Sequence, residues 1–267
     1  MTNNTILVLG GTGKTGRRLA VALRRRGAAA RTAARRNADV AFDWDDPTTY
    51  DAALRGVDRV YLVPPGGRLD YAGTVAGFLD RAEAAGVRHV TQLSARGVDH
   101  QPAEVAPRAV ELDLAHRPAI THAVLRPGWF MQNFDEAWFR PVRGRIEAPT
   151  GEGAEAFVHV DDIVEVAAAT LLAPADHDGA GYTLTGPEAL TFAQVAARIS
   201  TATGEQVLHN DIPRTAWVDA RVAEGMPRDY AELLARLLDE GLRASIGAAT
   251  TPTVAEVTGH PARPFIP

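Results

Sequence analysis

Gly10-Gly11-Thr12-Gly13-Lys14-Thr15-Gly16 sets glycines at 10, 13 and 16, directly after the apolar run Ile6–Leu9 and at the head of a helical pattern, Lys14–Arg26. Glycines so spaced permit a tight turn, close approach of a diphosphate to backbone N–H groups, and close packing of a helix on a strand, while the helix N-terminus attracts the anion. That is the chemistry of dinucleotide binding. A nucleoside-triphosphate loop shares the ending Gly13-Lys14-Thr15, but it needs a glycine five positions before Gly13, where Val8 stands. For Lys14 two roles stand level, a phosphate contact and a solvated side chain.

The choice of dinucleotide turns on the residues after the second strand, where an acid would take the ribose 2′-hydroxyl of NAD. The segment reads Arg31-Thr32-Ala33-Ala34-Arg35-Arg36, with no acid before Asp39. A guanidinium grips a 2′-phosphate that a carboxylate would repel. The pattern predicts NADP(H), with Arg35 the first contact and Arg36 the second; the alternative is a solvated basic edge.

These residues need a scaffold. Strand-like runs at Ile6–Leu9, Ala29–Ala33, Val40–Phe42, Val57–Val63, Val87–Leu93 and Ile120–Leu125 alternate with helical patterns at Lys14–Arg26, Thr48–Arg55, Asp70–Ala85 and Glu104–His116. That alternation predicts an α/β protein with a Rossmann-type, doubly wound parallel sheet, whose ligands bind beyond the carboxyl ends of the strands. The expected division is a dinucleotide-binding domain over 1–150, its sheet completed by segments near 156–184, and a smaller α+β substrate lobe over 151–267. In the latter, Asp161-Asp162 are expected to cap a helix over Ile163–Leu172.

Composition removes other classes. The 267 residues carry 28 basic and 33 acidic side chains, a net charge of −5, which argues against a nucleic-acid binder. There is no cysteine, hence no disulfide, thiolate nucleophile or thiolate metal site. No metal-ligand spacing stands out, and no apolar stretch is long enough to span a membrane. The expected setting is cytoplasmic, as a monomer or homodimer.

The chain resembles the NmrA-like, atypical short-chain dehydrogenase/reductase family through Ile6–Gly16, Arg31–Arg36, Phe42-Asp43-Trp44-Asp45-Asp46-Pro47, the stretch from Gly56 to Pro65, Leu125-Arg126-Pro127-Gly128-Trp129-Phe130-Met131-Gln132-Asn133-Phe134, and Phe157–Ile163. Within it the chain is similar to the ergot-alkaloid (clavine) dehydrogenase branch. The resemblance implies that Gly10, Thr12, Gly13, Lys14 and Thr15 meet the pyrophosphate, Arg35 the 2′-phosphate, and Asp43 with Trp44 the adenine end. It also implies that Val63, Pro64 and Pro65 line the path to the nicotinamide, and that Pro127 to Phe130 flank it. Pro64-Pro65 and Pro127-Gly128 equally suit turns that end strands.

Conventional members of that superfamily use Tyr-x-x-x-Lys, the lysine tuning the tyrosine for proton transfer. Of the 28 basic residues here only Lys14 is a lysine, so none of Tyr50, Tyr61, Tyr71, Tyr182 and Tyr230 has that partner. Ser94 matches the place of the superfamily's serine and is a candidate both for catalysis and for the nicotinamide amide; Asp99 and His100 lie on the next loop as candidate proton carriers. Trp129, Phe130, Met131, Phe134, Trp138, Phe139 and Trp217 can wall a small apolar or aromatic substrate, core packing being the other reading for at least half of them. Hydride addition to a carbonyl develops an alkoxide that wants a proton or an oxyanion site, whereas addition to an iminium neutralises a charge already present. The expected activity is NADPH-dependent reduction of an imine, iminium, quinone or enone acceptor in specialised metabolism. The competing class is a non-catalytic NADP(H)-binding redox sensor of the NmrA type. Sugar-nucleotide chemistry is disfavoured, because it relies on the same missing pair.

Overall fold

Successive side chains of a strand point to opposite faces, and Thr5–Leu9 obeys that rule inside the molecule: Ile6 and Val8 enter one apolar core, Leu7 and Leu9 another. A strand buried on both faces belongs to a parallel sheet with helices on each side. The computed structural model describes residues 5–266 of the chain. Its first half runs Thr5–Leu9 (β1), Lys14–Arg25 (α1), Ala29–Ala34 (β2), Val40–Ala41 (β3), Tyr50–Leu54 (α2), Val57–Leu62 (β4), Ala72–Ala84 (α3), His89–Leu93 (β5), Ala106–Ala115 (α4) and Thr121–Pro127 (β6). The second half adds Arg145–Ala148 (β7), Ala154–Glu155 (β8), Val160–Leu172 (α5), Ala180–Leu184 (β9), Leu190–Thr191 (β10), Phe192–Thr203 (α6), Leu208–Asp211 (β11), Arg214–Ala223 (α7), Arg228–Arg236 (α8) and Thr253–Thr258 (α9).

Seven strands form one parallel sheet in the order β3-β2-β1-β4-β5-β6-β9. One face is covered by α1 and α5, through Leu19, Leu23, Ile163 and Val166, and the other by α3 and α4, through Phe78, Leu79, Val110 and Leu114. The strand order reverses between β1 and β4, and the crevice at that point is where such sheets bind ligands. The expected fold class is the observed one.

A second core gathers Phe134, Phe139, Phe157, Phe192, Trp217 and Leu234 beyond the carboxyl edge of the sheet. Its surrounding elements include α6 to α8 and the short pairs β7–β11 and β8–β10. Two lobes are therefore present, yet no single cut at residue 150 divides them. Ile146 and Ala148 lie in the second core, whereas α5 and β9 return to the sheet.

Local chemistry explains most boundaries. Gly27 and Gly86 come just after α1 and α3 with φ of +81° and +87°, the left-handed conformation that ends a helix. The start of α5 departs from expectation: His159 caps it by accepting from the Asp161 N–H at 3.1 Å. Asp161 lies in the first turn, and the fully buried Asp162 instead accepts from the Arg263 N–H and guanidinium, tying down the C-terminal segment. α8 ends as α-helix at Arg236, and the chain continues as a π-turn over Leu237–Leu242.

The turn after β1 is tightly packed. A Cβ on Gly16 would stand 2.3 Å from the Gly10 carbonyl oxygen, and one on Gly11 would stand 2.6 Å from the Thr32 Cβ. Gly16→Ala must therefore push α1 away from β1. The expected cost is about 1–3 kcal/mol in urea unfolding, whereas Gly77→Ala on α3, where the added methyl meets nothing within 4 Å, should be neutral or stabilising.

Candidate functional site

Beyond the carboxyl ends of β1, β4, β5 and β6 the chain brings together most of the residues singled out from the sequence. Gly10 takes φ +63°, and the place of its missing Cβ lies 3.4 Å from the Val63 side chain, so the loop after β1 and the turn after β4 touch. Thr12 and Gly13 are exposed, and Gly13 donates its N–H to the Gly10 carbonyl at 2.8 Å. Thr15 is buried against Tyr61, whose ring is fully buried and whose ionisation that burial strongly disfavours. The exposed side of the loop thus carries backbone at the N-terminus of α1, the arrangement that binds anions.

Lys14 has a partner that its position in the loop did not suggest. Its Nζ donates to Asn133 Oδ1 at 2.8 Å and stands 5.9 Å from the Trp138 ring centre, with burial lowering its pKa. Nearby, Glu136 accepts from Arg17 at 2.5 Å and from Arg18 at 2.6 Å, which brings its pKa down to about 2. The segment around 131–138 is strapped to the first turns of α1 by these contacts.

Arg35 and Arg36 come directly after β2, exposed and without an ion pair or side-chain hydrogen bond among the described residues. Arg31 is committed to the Ala53 and Arg55 carbonyls. Asp39, the nearest acid, accepts from the backbone and hydroxyl of Thr32, both at 2.8 Å, and pairs with Arg24 at 2.5 Å; the Thr32 bonds are the main reason its pKa is lowered. Trp44 packs among Phe42, Tyr50 and Phe78 with ring centres 5.0–6.1 Å apart, and Asp43 accepts from the Asp45 N–H, turning the chain beside it. Pro64 and Pro65 are half-buried after β4, Pro127 is buried at the end of β6, and Phe130 is half-buried, bridged to Val158.

At the end of β5 the chemistry differs from the expectation. Ser94 donates its hydroxyl to Glu111 Oε1 at 2.6 Å. Glu111, only 3% exposed, also takes two bonds from Arg126, at 3.0 and 2.8 Å, and one from Arg108 at 3.0 Å. Asp99 lies 3.6 Å from Arg126, and the His100 side chain is 85% exposed. In this arrangement the Ser94 proton is committed, Asp99 faces a guanidinium, and His100 points to solvent. Glu111 escaped the sequence reading, although an acid on the stripe Ala106, Val110, Glu111, Leu114 that α4 buries was its visible signal.

Of the aromatic wall, Met131, Phe134, Phe139 and Trp217 are core residues of the second lobe, while Trp129, Phe130 and Trp138 remain half-buried. Two further buried groups titrate abnormally. Glu155, 3% exposed on β8, lies between Gly128 and Gly247 with Oε1 unpartnered, and burial pushes its pKa up to about 7. His89 is held among Thr91 and Thr121 inside the sheet, and burial lowers its pKa to about 4.

No family model matches the chain. It is 37% identical over 98% of its length to an uncharacterized oxidoreductase, YesF, of Bacillus subtilis, covering 93% of that protein. It is 31% identical over 98% of its length to festuclavine synthase I of Penicillium roqueforti, covering 96% of it. Among solved structures it resembles the NADPH complex of the quinone oxidoreductase QOR2 from Escherichia coli, with a TM-score of 0.74, 23% identity and 97% and 96% of the two chains covered.

The two buried titrations make opposite contributions to stability. Glu155 keeps its proton in the folded chain up to about pH 7, where the unfolded chain has lost it; its contribution is full below the usual 4.5 and is lost as the pH rises through about 7. His89 loses stability in the other direction, as the pH falls from 6.5 toward about 4. Glu155→Gln should therefore raise the melting temperature relative to the parent chain by a margin that grows from about pH 5 to about pH 8, on the order of 1–3 kcal/mol at the upper end. A margin independent of pH in calorimetric scans would show that the carboxyl does not titrate in the core.

Proposed function

Because the chain belongs to the NmrA-like atypical short-chain dehydrogenase/reductase family, to which the clavine dehydrogenases are related, we propose that it is an NADPH-dependent reductase of small electrophilic molecules, of the imine, iminium, quinone or enone type. The observation that carries this reading is the glycine cradle at the strand-order reversal, together with two unpaired arginines after β2. A Cβ at Gly16 or Gly11 would strike the Gly10 carbonyl or Thr32, so these glycines let α1 and β2 close on the loop, whose exposed backbone at Thr12 and Gly13 then stands open to a diphosphate at the N-terminus of α1.

In this reading Gly10, Thr12, Gly13 and Thr15 offer the diphosphate its backbone and hydroxyl contacts, and Arg35 with Arg36 grips the 2′-phosphate. Asp43 and Trp44 border the adenine end. Val63, Pro64 and Pro65 line the route toward the strand ends, and Pro127 and Phe130 close it there. Ser94, whose proton goes to Glu111, keeps lone pairs that can accept from a carboxamide. Lys14 bridges to Asn133 and so ties the second lobe to the loop rather than serving the phosphates. Bound in this groove, the reduced nicotinamide supplies a hydride. The chain's own work is to orient the acceptor and exclude water from it, and the half-buried Trp129, Phe130 and Trp138 provide apolar surface for an aromatic acceptor.

An iminium acceptor needs no proton after hydride addition, which agrees with the engagement of Ser94 and Asp99. The test is direct. The protein should bind NADPH more tightly than NADH, and replacing Arg35 and Arg36 with alanine should weaken NADPH by roughly 10- to 100-fold, as expected for charge-assisted bonds to a phosphate, while leaving NADH unchanged. Equal affinities in titration calorimetry would overturn the NADPH assignment. A panel of cyclic iminium ions, quinones and enones should reveal acceptor-dependent loss of NADPH absorbance, and no loss with any of them would overturn the reductase reading.

A further inference from the structure

Lys14 belongs to two parts of the molecule at once. Its main chain follows Gly13, the N-cap of α1, and so stands in the turn whose free N–H groups suit a diphosphate. Its side chain leaves that turn. Half-buried, it donates from Nζ to the buried Asn133 at 2.8 Å and lies 5.9 Å from the centre of the Trp138 ring, within reach of the attraction between an ammonium and an aromatic face. One turn along α1, Arg17 and Arg18 hold Glu136 at 2.5 and 2.6 Å, and Arg18 also reaches Asp161 at the head of α5, at 3.5 Å. The segment they grip is bonded within itself: Glu136 donates its N–H to the Gln132 carbonyl at 2.9 Å, and Phe139 to the Asn133 carbonyl at 3.0 Å. It continues into the second lobe, where Arg221 of α7 donates to the Trp138 carbonyl at 3.3 Å and the Phe139 ring centre lies 5.7 Å from that of Trp129. One path of contacts therefore runs from the turn after β1 to the half-buried indoles that offer surface to an acceptor.

We propose that Lys14 and Asn133 are positioning residues that transmit cofactor occupancy to the acceptor wall, so that NADP(H) and an aromatic acceptor bind with positive cooperativity; this rests on the reductase reading above. The physical reason is that one anion steadies both ends of Lys14. A diphosphate on the N–H groups of the turn fixes the Lys14 main chain, and with it the direction in which the side chain leaves. The same negative charge favours the ammonium, which burial opposes, and the ammonium is the form that a ring face attracts. Asn133 and Trp138 then meet a side chain already ordered, and the acceptor meets a wall whose ordering entropy has been lost beforehand. Arg17 and Arg18 cannot carry the coupling alone, because their pairs with Glu136 stand in partly exposed positions that solvent screens. By linkage the acceptor tightens the cofactor by the same factor as the cofactor tightens the acceptor.

The test uses 1,4-naphthoquinone with NADP⁺, a pair between which no hydride can pass, and the chain has no cysteine for the quinone to alkylate. In equilibrium dialysis the parent chain should hold the quinone about tenfold more tightly with saturating NADP⁺ than without it. Hydrogen exchange at the Glu136 and Phe139 amides should slow when NADP⁺ alone is added. In Asn133→Leu and in Lys14→Met the gain should shrink to within about twofold, and exchange at those amides should no longer respond to NADP⁺. The Kd for NADP⁺ alone should stay within about threefold in both, which also shows that they fold. Combining the two substitutions should cost no more than either alone, and Lys14→Arg, which keeps charge and reach, should restore most of the gain. A quinone affinity in the parent chain that is equal or lower with NADP⁺ overturns the coupling, as does a gain retained in Asn133→Leu. A loss of NADP⁺ affinity beyond about tenfold in Lys14→Met but not in Asn133→Leu makes Lys14 a phosphate ligand and overturns its positioning role. A parent chain that binds NADP⁺ but neither the quinone nor an N-alkylated cyclic iminium ion, in either state, overturns the reductase reading and the coupling with it.

Discussion

The carboxyl edge of the sheet depends on how closely the first turn of α1 approaches the turn after β1. Gly16 lies where a single methyl would strike the Gly10 carbonyl, and Gly10 itself takes a left-handed backbone that brings it against Val63. That contact links the loop after β1 to the turn after β4, across the point where the strand order reverses. If α1 sat an ångström further out, its N-terminal N–H groups would lose their common focus and the crevice would lose a wall. The dipole of a 12-residue helix attracts an anion only at its end, so position matters more than helix strength.

A second constraint works at the other end of the crevice. Glu111 is a buried carboxylate satisfied by Ser94, Arg108 and Arg126, and those partners come from the end of β5, from α4 and from β6. A buried charge is tolerated when its lone pairs are all used, and then it holds its neighbours in one arrangement. Here it takes the Ser94 hydroxyl out of service as a donor.

The second lobe is positioned as much by charge as by packing. Its aromatic core, with Phe134, Phe139, Phe157 and Phe192 in mutual contact at 4.9–5.8 Å, gives the lobe an interior of its own. The link to the sheet runs through Lys14 to Asn133, through Arg17 and Arg18 to Glu136, and through the chain crossing back as α5 and β9. The exposed ion pairs among these are individually weak. Their effect is to hold the segment around Asn133 and Glu136 against the first turns of α1.

The sequence by itself determined the alternation of strands and helices, the parallel sheet, the glycine turn and the basic pair after β2, because each is written in local periodicity or spacing of a few residues. It also determined that no tyrosine–lysine pair exists, since a count settles that. Its expectation for the caps of α5 failed at Asp162, which is spent on Arg263, 101 residues away. The partner of Lys14 lies 119 residues on, and Glu111 meets Arg126 across 15 residues that fold into the end of a helix and a strand. Those pairings depend on which faces the sheet brings together, and no local pattern encodes them. Only the tertiary structure therefore decided that Ser94 is engaged and that half of the aromatic wall is core: a side chain's protonation and freedom are set by neighbours distant in the chain.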